Sequence, residues 1–331
     1  MATAAKTLAK PVKIVEVFSE NCETEFQRIC AALTRYPIIS MDTEFPGVIF
    51  KSNVQTLDYN KKQTPFEYYQ IMKNNIDALK LIQVGLTLSD AQGNLPDIGT
   101  YTCIWQFNLS DFDVSKDLCA ADSIELLIKQ GINFEKNRRE GIDSRVFARM
   151  LLQYGIVCNP AAGHFFYKYS LNWITFHSGY DFGYLIKLLI YPDPLPTRLE
   201  DFMCLVKRFF GTRVYDIKHM MKFCQGLFGG LENVSKVLGA EREVGNCHQA
   251  GSDSLLTLKT FVKMYAKYFT NQDIHRTYGG ALHDLIFPAD VQIRSNYGMV
   301  VPISRSYDAN MYPYNCHLYI NDFPVYSNLI N

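Results

Sequence analysis

The sequence predicts an α/β fold, a mixed sheet covered by helices. Three observations carry that prediction. Three apolar, strand-like runs come early and lie close enough in sequence to pair as an antiparallel meander. Short strand-like runs then alternate with long helical periodicities, the pattern that lays helices on sheet faces. The composition, 48% hydrophobic and 20% charged over 331 residues, provides for a substantial core. No internal repeat and no low-complexity linker divides the chain, so one domain is expected over residues 10–285, followed by a divergent tail, 286–331.

In chain order, residues 1–20 read as a loose arm carrying one short apolar strand, Ile14 to Phe18. Asn21 is a candidate N-cap for a helix over 22–35, with Phe26, Ile29, Cys30 and Leu33 on one face. Pro37 bounds the next strand, Ile38-Ile39-Ser40-Met41, which runs into Asp42-Thr43-Glu44-Phe45. A polar, basic loop with Lys51, Lys61 and Lys62 follows. Thr64-Pro65-Phe66-Glu67 supplies an N-cap, a proline at N1 and an acid at N3, so a helix is expected to about Leu79. Strands are expected from Leu81 to Leu88 and, across the turn formers between Asp90 and Gly99, from Thr102 to Phe107. Helical patterns follow at 122–130, 143–154, 181–190, 198–210, 216–224, 231–238 and 250–269, with strands at 172–176 and 213–216.

Composition narrows the function classes less than the motifs do. Lys+Arg and Asp+Glu both number 33, so net charge neither favours nor excludes a nucleic-acid partner, and a polyanion would need clustered basic residues or metal ions. Nine scattered cysteines without a CxxC pair suit reduced thiols in the cytosol or nucleus and disfavour a disulfide scaffold or a zinc site built on cysteine. The start, Met1-Ala-Thr-Ala-Ala-Lys-Thr, lacks the apolar stretch of a secretory signal, and no uncharged apolar run reaches membrane-spanning length, so no membrane partner is expected.

Three stretches carry candidate chemistry. In Met41-Asp42-Thr43-Glu44, positions i and i+2 of a strand place Asp42 and Glu44 on one face. Two acids side by side at the end of a core strand repel each other and are costly to desolvate. A divalent cation with oxygen ligands removes that cost; an exposed strand end with solvated acids would read the same. In Trp173 to Lys187 a strand ends at Phe176, a turn follows, and Asp181 falls in the first turn of a helix. There it also suits the helix dipole, and His177 suits a turn. In Cys247-His248-Gln249-Ala250-Gly251-Ser252-Asp253 a helix opens, with His248 just before it and Asp253 in its first turns. Cys247 beside His248 also fits a thiol nucleophile, but adjacent residues rarely present their side chains to each other and nothing marks an oxyanion hole.

Taken together, Asp-x-Glu on a strand, a distant Asp at a helix start and His-x4-Asp at a later helix resemble the DEDD exonuclease superfamily in its histidine-bearing subclass. Asp42-Thr43-Glu44-Phe45-Pro46-Gly47, Phe176-His177-Ser178-Gly179-Tyr180-Asp181-Phe182-Gly183-Tyr184 and His248-Gln249-Ala250-Gly251-Ser252-Asp253-Ser254-Leu255-Leu256-Thr257 are similar to the Caf/Pop-type poly(A) deadenylases. Leu81-Ile82-Gln83-Val84-Gly85-Leu86, Trp105-Gln106-Phe107-Asn108 and Tyr215-Asp216-Ile217-Lys218 agree, and the resemblance covers about residues 12–285.

The resemblance implies an RNase H-like fold with a central mixed five-stranded sheet. It implies a 3′-to-5′ exoribonuclease that shortens mRNA poly(A) tails and releases 5′-AMP by two-metal-ion hydrolysis. Asp42, Glu44, Asp181 and Asp253 would then hold two divalent metal ions, Mg²⁺ in the first place and Mn²⁺ as the alternative, with His248 as general base. The implied partners are the 3′ end of poly(A) RNA, the NOT scaffold protein and a second deadenylase subunit, in the cytoplasm and also the nucleus. A DEDD exonuclease without poly(A) preference, on RNA or DNA, has the same core residues. A catalytically silent scaffold subunit has no chemical need for all five. Residues 159–170 look like an insertion relative to the family, and 286–331, interrupted by Pro288, Pro302, Pro313 and Pro324, are expected to be a mobile tail outside the core, with packing of its tyrosines on the core or stacking on RNA bases as the alternatives.

Overall fold

The structure, a computed structural model, describes residues 10–51, 63–158, 171–286, 293–294 and 300–301. The elements run in the order β1 (Val12–Val17), α1 (Cys22–Ala32), β2 (Ile38–Glu44), α2 (Pro65–Ala78), β3 (Gln83–Ser89), β4 (Thr102–Asn108), α3 (Ala121–Lys129), α4 (Phe134–Glu140), α5 (Ser144–Gln153) and β5 (Asn172–Thr175). There follow α6 (Gly179–Leu189), α7 (Leu199–Phe210), β6 (Val214–Asp216), α8 (Ile217–Met220) with a 3₁₀ turn (Met221–Phe223), α9 (Leu231–Leu238), α10 (Ala250–Tyr268) and α11 (Ile274–Tyr278). Two short strands, β7 (Ile293–Arg294) and β8 (Val300–Val301), pair antiparallel with each other.

The main sheet has six strands in the order β1-β4-β3-β2-β5-β6, one more than the five implied by the resemblance. β2, β3 and β4 form the expected antiparallel meander, and β5 and β6 add parallel to β2. The sixth strand is β1, expected as a short strand over Ile14 to Phe18 in a loose arm and found over Val12–Val17 as part of the main sheet. It pairs in parallel with β4 along its whole length, from Val12 against Thr102 to Val17 against Phe107. Its Glu16 accepts hydrogen bonds from Gln106 Nε2 at 2.9 Å and Asn108 Nδ2 at 2.7 Å, a side-chain tie between strands that a hydrophobicity pattern does not show.

Side-chain caps open five of the eleven described α-helices. The capping box foreseen at Thr64 is complete: the hydroxyl accepts from Glu67 N and the Glu67 carboxylate accepts from Thr64 N. Asn21 stands at the N-cap of α1 but does not cap it. Its side chain turns back to accept from Phe18 N and donate to Glu16 O, so it fastens the β1–α1 turn instead. α4 and α11 were not anticipated. Each is short and depends on a side-chain cap, from Asn133 to Lys136 N and from Asp273 to Arg276 N.

Side chains alternate across the sheet into two cores. One face carries Met41, Leu86, Trp105, Phe107 and Trp173, packed with Phe26, Phe147, Phe182 and Phe202 from the helices. The other carries Ile174 and Tyr215, packed with Phe261 and Met264 of α10 and Val234 of α9. α10 crosses this second face against β2, β3, β4 and β5. Its first turn lies so close to the sheet that a Cβ on Gly85 would stand 1.9 Å from Ala250 O. Gly85 is the partner of Asp42 across the β2–β3 ladder, so the close approach falls beside the acidic strand. The start of α10 is also held by Gln106, whose Oε1 accepts from Gly251 N at 3.0 Å.

The carboxyl end of the described core reaches Leu285, which with Leu282 is buried in the first core. The insertion expected at 159–170 and nearly all of the tail lie outside the described residues.

Two tests follow. Gly85→Ala forces the first turn of α10 off the sheet and is expected to destabilise by about 1–3 kcal/mol, measured by chemical denaturation. An unchanged midpoint would show that the helix start yields freely. We propose that residues 10–285 suffice for the fold: truncation after Leu285 is expected to leave the melting temperature nearly unchanged, and a collapse of stability would make the tail part of the core.

Candidate active site

Asp42 and Glu44 stand at the end of β2, where Glu44 is buried and Asp42 nearly so. β5 lies parallel beside β2, so its carboxyl end brings the turn before α6 to the same end of the sheet. Asp181, in the first turn of α6, is buried there and accepts from Thr43 Oγ1 at 2.7 Å. From the opposite face α10 brings Asp253, also buried. Ligand atoms of Glu44, His248 and Asp253 all lie within 4.8 Å of one another. His248 is exposed, in left-handed backbone at φ 58°, and its backbone N–H donates to Asp253 Oδ2 at 2.7 Å. The five residues singled out by the sequence therefore converge. They do so at the carboxyl ends of strands, the usual position for sites in open α/β sheets.

The electrostatics are those of crowded acids. Burial, then Asp253, Asp181 and Glu44, push the Asp42 carboxyl well above the usual range. Glu44 is raised by burial, Asp253 and Asp181. Asp181 rises from 3.8 to about 6, chiefly through burial, against the lowering effect of its Thr43 hydrogen bond. Asp253 is raised by burial despite Arg242, whose Nη2 stands 2.5 Å from its Oδ1. Arg242 also reaches Glu232 and, through Nη1, Ser252 Oγ. Among the described residues, no ion pair reaches Asp42 or Glu44. Of the four site carboxylates Arg242 pairs with Asp253 alone, and it shares its charge with Glu232; an all-oxygen donor set of this kind fits hard divalent cations.

Sequence reasoning missed several residues that complete the site. Arg242 sits in a plain charged run, Glu241-Arg242-Glu243, with no signal of a buried partner. Thr43 points opposite to Asp42 and Glu44 along the strand, yet reaches Asp181. Asp216, at the end of β6, is fully buried, and its carboxylate accepts from the backbone N–H of His177 (2.8 Å), Lys218 (2.9 Å), His283 (2.9 Å) and Ser178 (3.3 Å). It therefore fixes the turn that leads into Asp181. Cys247 is no activated thiol: burial and the neighbouring Asp253 push it up, away from the thiolate.

Comparison with known proteins agrees with this geometry. Residues 17–149 match the CAF1 family ribonuclease. The chain is 47% identical over 283 residues to "Probable CCR4-associated factor 1 homolog 10" of Arabidopsis thaliana, across 85% of this chain and 95% of the relative. The chain belongs to the CAF1 ribonuclease family. A further member, Poly(A) ribonuclease pop2 of Schizosaccharomyces pombe, is 40% identical over 256 residues, across 77% of this chain and 70% of the relative. Among solved structures, S. pombe Pop2p in its Mg²⁺- and Mn²⁺-bound form superposes with a TM-score of 0.71 at 38% identity, covering 82% of this chain and 99% of that one. The yeast NOT1 MIF4G domain co-crystallised with CAF1 contains a chain that superposes at 0.62 with 30% identity, covering 82% and 96%. The RNase H-like α/β architecture of these CAF1-family relatives is the one described above.

The raised acids give a signed pH dependence. A carboxyl whose folded pKa lies above its unfolded value binds more protons when folded, so its contribution to stability is lost as pH rises through that interval. For Asp181 the interval runs from 3.8 to about 6. In chelator, the wild type is expected to lose stability relative to Asp181→Asn across this range, and Asp42→Ala is expected to melt at or above wild type near neutral pH. Thermal melts at several pH values measure both. A wild type that gains on Asp181→Asn as pH rises would contradict the upward shift that burial gives Asp181.

Proposed function

We propose that this CAF1-family ribonuclease is a metal-dependent 3′-to-5′ exoribonuclease that shortens poly(A) tails and releases 5′-AMP. The convergence of Asp42, Glu44, Asp181 and Asp253, with His248 at the open side, carries the reading. Four acids this close are stable as carboxylates only with added positive charge, and Arg242, shared with Glu232, supplies less than one unit of it.

Two divalent cations, Mg²⁺ or Mn²⁺, bound at such carboxylates supply charge neutralisation for the phosphodiester and an activated water. Asp42, Glu44, Asp181 and Asp253 would hold them. Thr43, through its bond to Asp181, and the His248 backbone N–H, through its bond to Asp253, orient two of these carboxylates. The exposed imidazole of His248 accepts the proton of the attacking water. Arg242 holds Asp253 in place and balances part of the charge.

The poly(A) preference extends to this chain from its likeness to Poly(A) ribonuclease pop2. A NOT scaffold partner extends from the yeast NOT1–CAF1 crystal, and a second deadenylase subunit and a place in cytoplasm and nucleus belong to the same reading.

The test is purified protein with Mg²⁺ and 5′-labelled RNA ending in an A-tract, beside a non-A 3′ end and a DNA equivalent. A one-nucleotide ladder that slows where the A-tract stops is expected. Asp42→Ala is expected to lose more than the ~10–100-fold typical of a residue one shell away from a metal. Wild-type turnover in that variant would remove the site assignment. Equal rates on all 3′ ends would leave a generic exonuclease, and no cleavage with an intact fold would favour a silent scaffold subunit.

A further inference from the structure

A second cluster lies outside the carboxylate site. His177, in the turn between β5 and α6, meets His283 and Asp284, in the loop after α11. One ligand atom from each lies within 4.8 Å of the other two. His177 Nε2 stands 3.3 Å from Asp284 Oδ2, and His283 Nε2 stands 3.2 Å from Asp284 Oδ1. The imidazole rings are 4.9 Å apart and nearly perpendicular. We propose that His177, His283 and Asp284 form a three-residue site for a borderline transition-metal cation, with Zn²⁺ as the fitting ion.

The two imidazoles sit at 3.3 and 3.2 Å from opposite oxygens of Asp284, and one ligand atom from each residue lies within 4.8 Å of the others, a separation that a small inward shift converts to a coordination shell. Zinc bonds of ~2.0–2.1 Å at a tetrahedral angle place two ligand atoms about 3.3 Å apart. Two imidazoles and one carboxylate suit zinc and its neighbours, whereas Mg²⁺ and Mn²⁺ favour oxygen-rich sites such as the four-carboxylate cluster. Access is also right: the His177 and Asp284 side chains are 40% and 42% exposed, which leaves a fourth position open to water. The Tyr68 hydroxyl stands 3.5 Å from His177 Nε2 at the edge of the cluster.

The backbone is already held in place for this. Asp216 accepts from the N–H of His177 with one oxygen and from that of His283 with the other, so one buried carboxylate sets the separation of two ligands far apart in sequence. His177 and Asp284 both take left-handed backbone, at φ 58° and 62°. His283 Nδ1 is buried without a partner, which leaves Nε2 as the nitrogen turned to the cluster. A cation here would join the loop after α11 to the turn that presents Asp181. The proposal does not depend on the exonuclease reading, because its ligands are a separate set.

The test uses full-length protein carrying Asp42→Ala and Asp253→Ala, which removes carboxylates of the other cluster, with wild type in saturating Mg²⁺ as a parallel sample. Co²⁺ is the spectroscopic probe. We expect the ligand-field absorption of four-coordinate Co²⁺ to saturate at one equivalent, to persist in excess Mg²⁺ and to be displaced by Zn²⁺. His283→Gln and Asp284→Asn, which keep side-chain bulk, are each expected to weaken Co²⁺ binding at least tenfold while circular dichroism stays that of the folded protein. Absence of the one-equivalent band in both samples, or a band of unchanged affinity in both folded variants, would overturn the proposal and leave the cluster as a hydrogen-bonded tie between loop and turn.

Discussion

The joint burial of Asp42, Glu44, Asp181 and Asp253, with the repulsion it adds at Asp42 and Glu44, is the constraint around which the rest of this structure is arranged. The effective penalty for an ionised group held in a protein interior is several kcal/mol. A hydrogen bond to a charged group returns about 1.5–3 kcal/mol. Thr43 bonds Asp181, the His248 N–H bonds Asp253, and Arg242 pairs with Asp253, while Asp42 and Glu44 have no ion pair among the described residues. The protein groups therefore offset only part of the charge, and the remainder is met by protons or by cations. A site that folds without relieving its own repulsion has a strong thermodynamic demand for divalent metal.

Holding such a cluster requires a stiff frame, and the frame is assembled from both sheet faces. α6 comes from one side and α10 from the other, so the acids meet at the carboxyl ends of β2 and β5 and not on a single element. Gly85 permits the close approach of α10, and Gln106 tethers its first turn. Gln106 is itself held by Glu16 of β1, which gives the edge strand an indirect part in placing Asp253. Asp216 does the corresponding work for Asp181, by fixing the turn ahead of α6. Buried side-chain-to-backbone bonds of this kind specify one local geometry, because any other would leave a charged carboxylate unpartnered.

Much of this was legible in the chain because it is local. The apolar run into Asp42 and Glu44 marks a buried strand that ends in acids, and its bounds agree with the structure to the residue at Ile38. Thr64-Pro65-Phe66-Glu67 contains its whole capping box within four residues. The His248-to-Asp253 spacing spans a helix start, so their meeting needs only that helix. By contrast, β1 reads as a short strand in a loose arm and its place in the sheet does not, because the pairing of an edge strand is decided by its neighbour. Here that neighbour, β4, lies about ninety positions away, and the tie between them is a carboxylate bonded to two amides.

Sequence alone determined the residue types of the site, the strand and helix that carry most of them, and the alternation that makes an α/β sheet, since periodicity and caps act over a few residues. The sixth strand, the pairing of Arg242 with Asp253, the hold of Asp216 on two distant loops and the meeting of His177 with His283 and Asp284 were decided only in the folded chain. Each joins segments whose proximity depends on strand order and helix crossing, and a side chain whose partner lies in another segment leaves no periodic trace in its own.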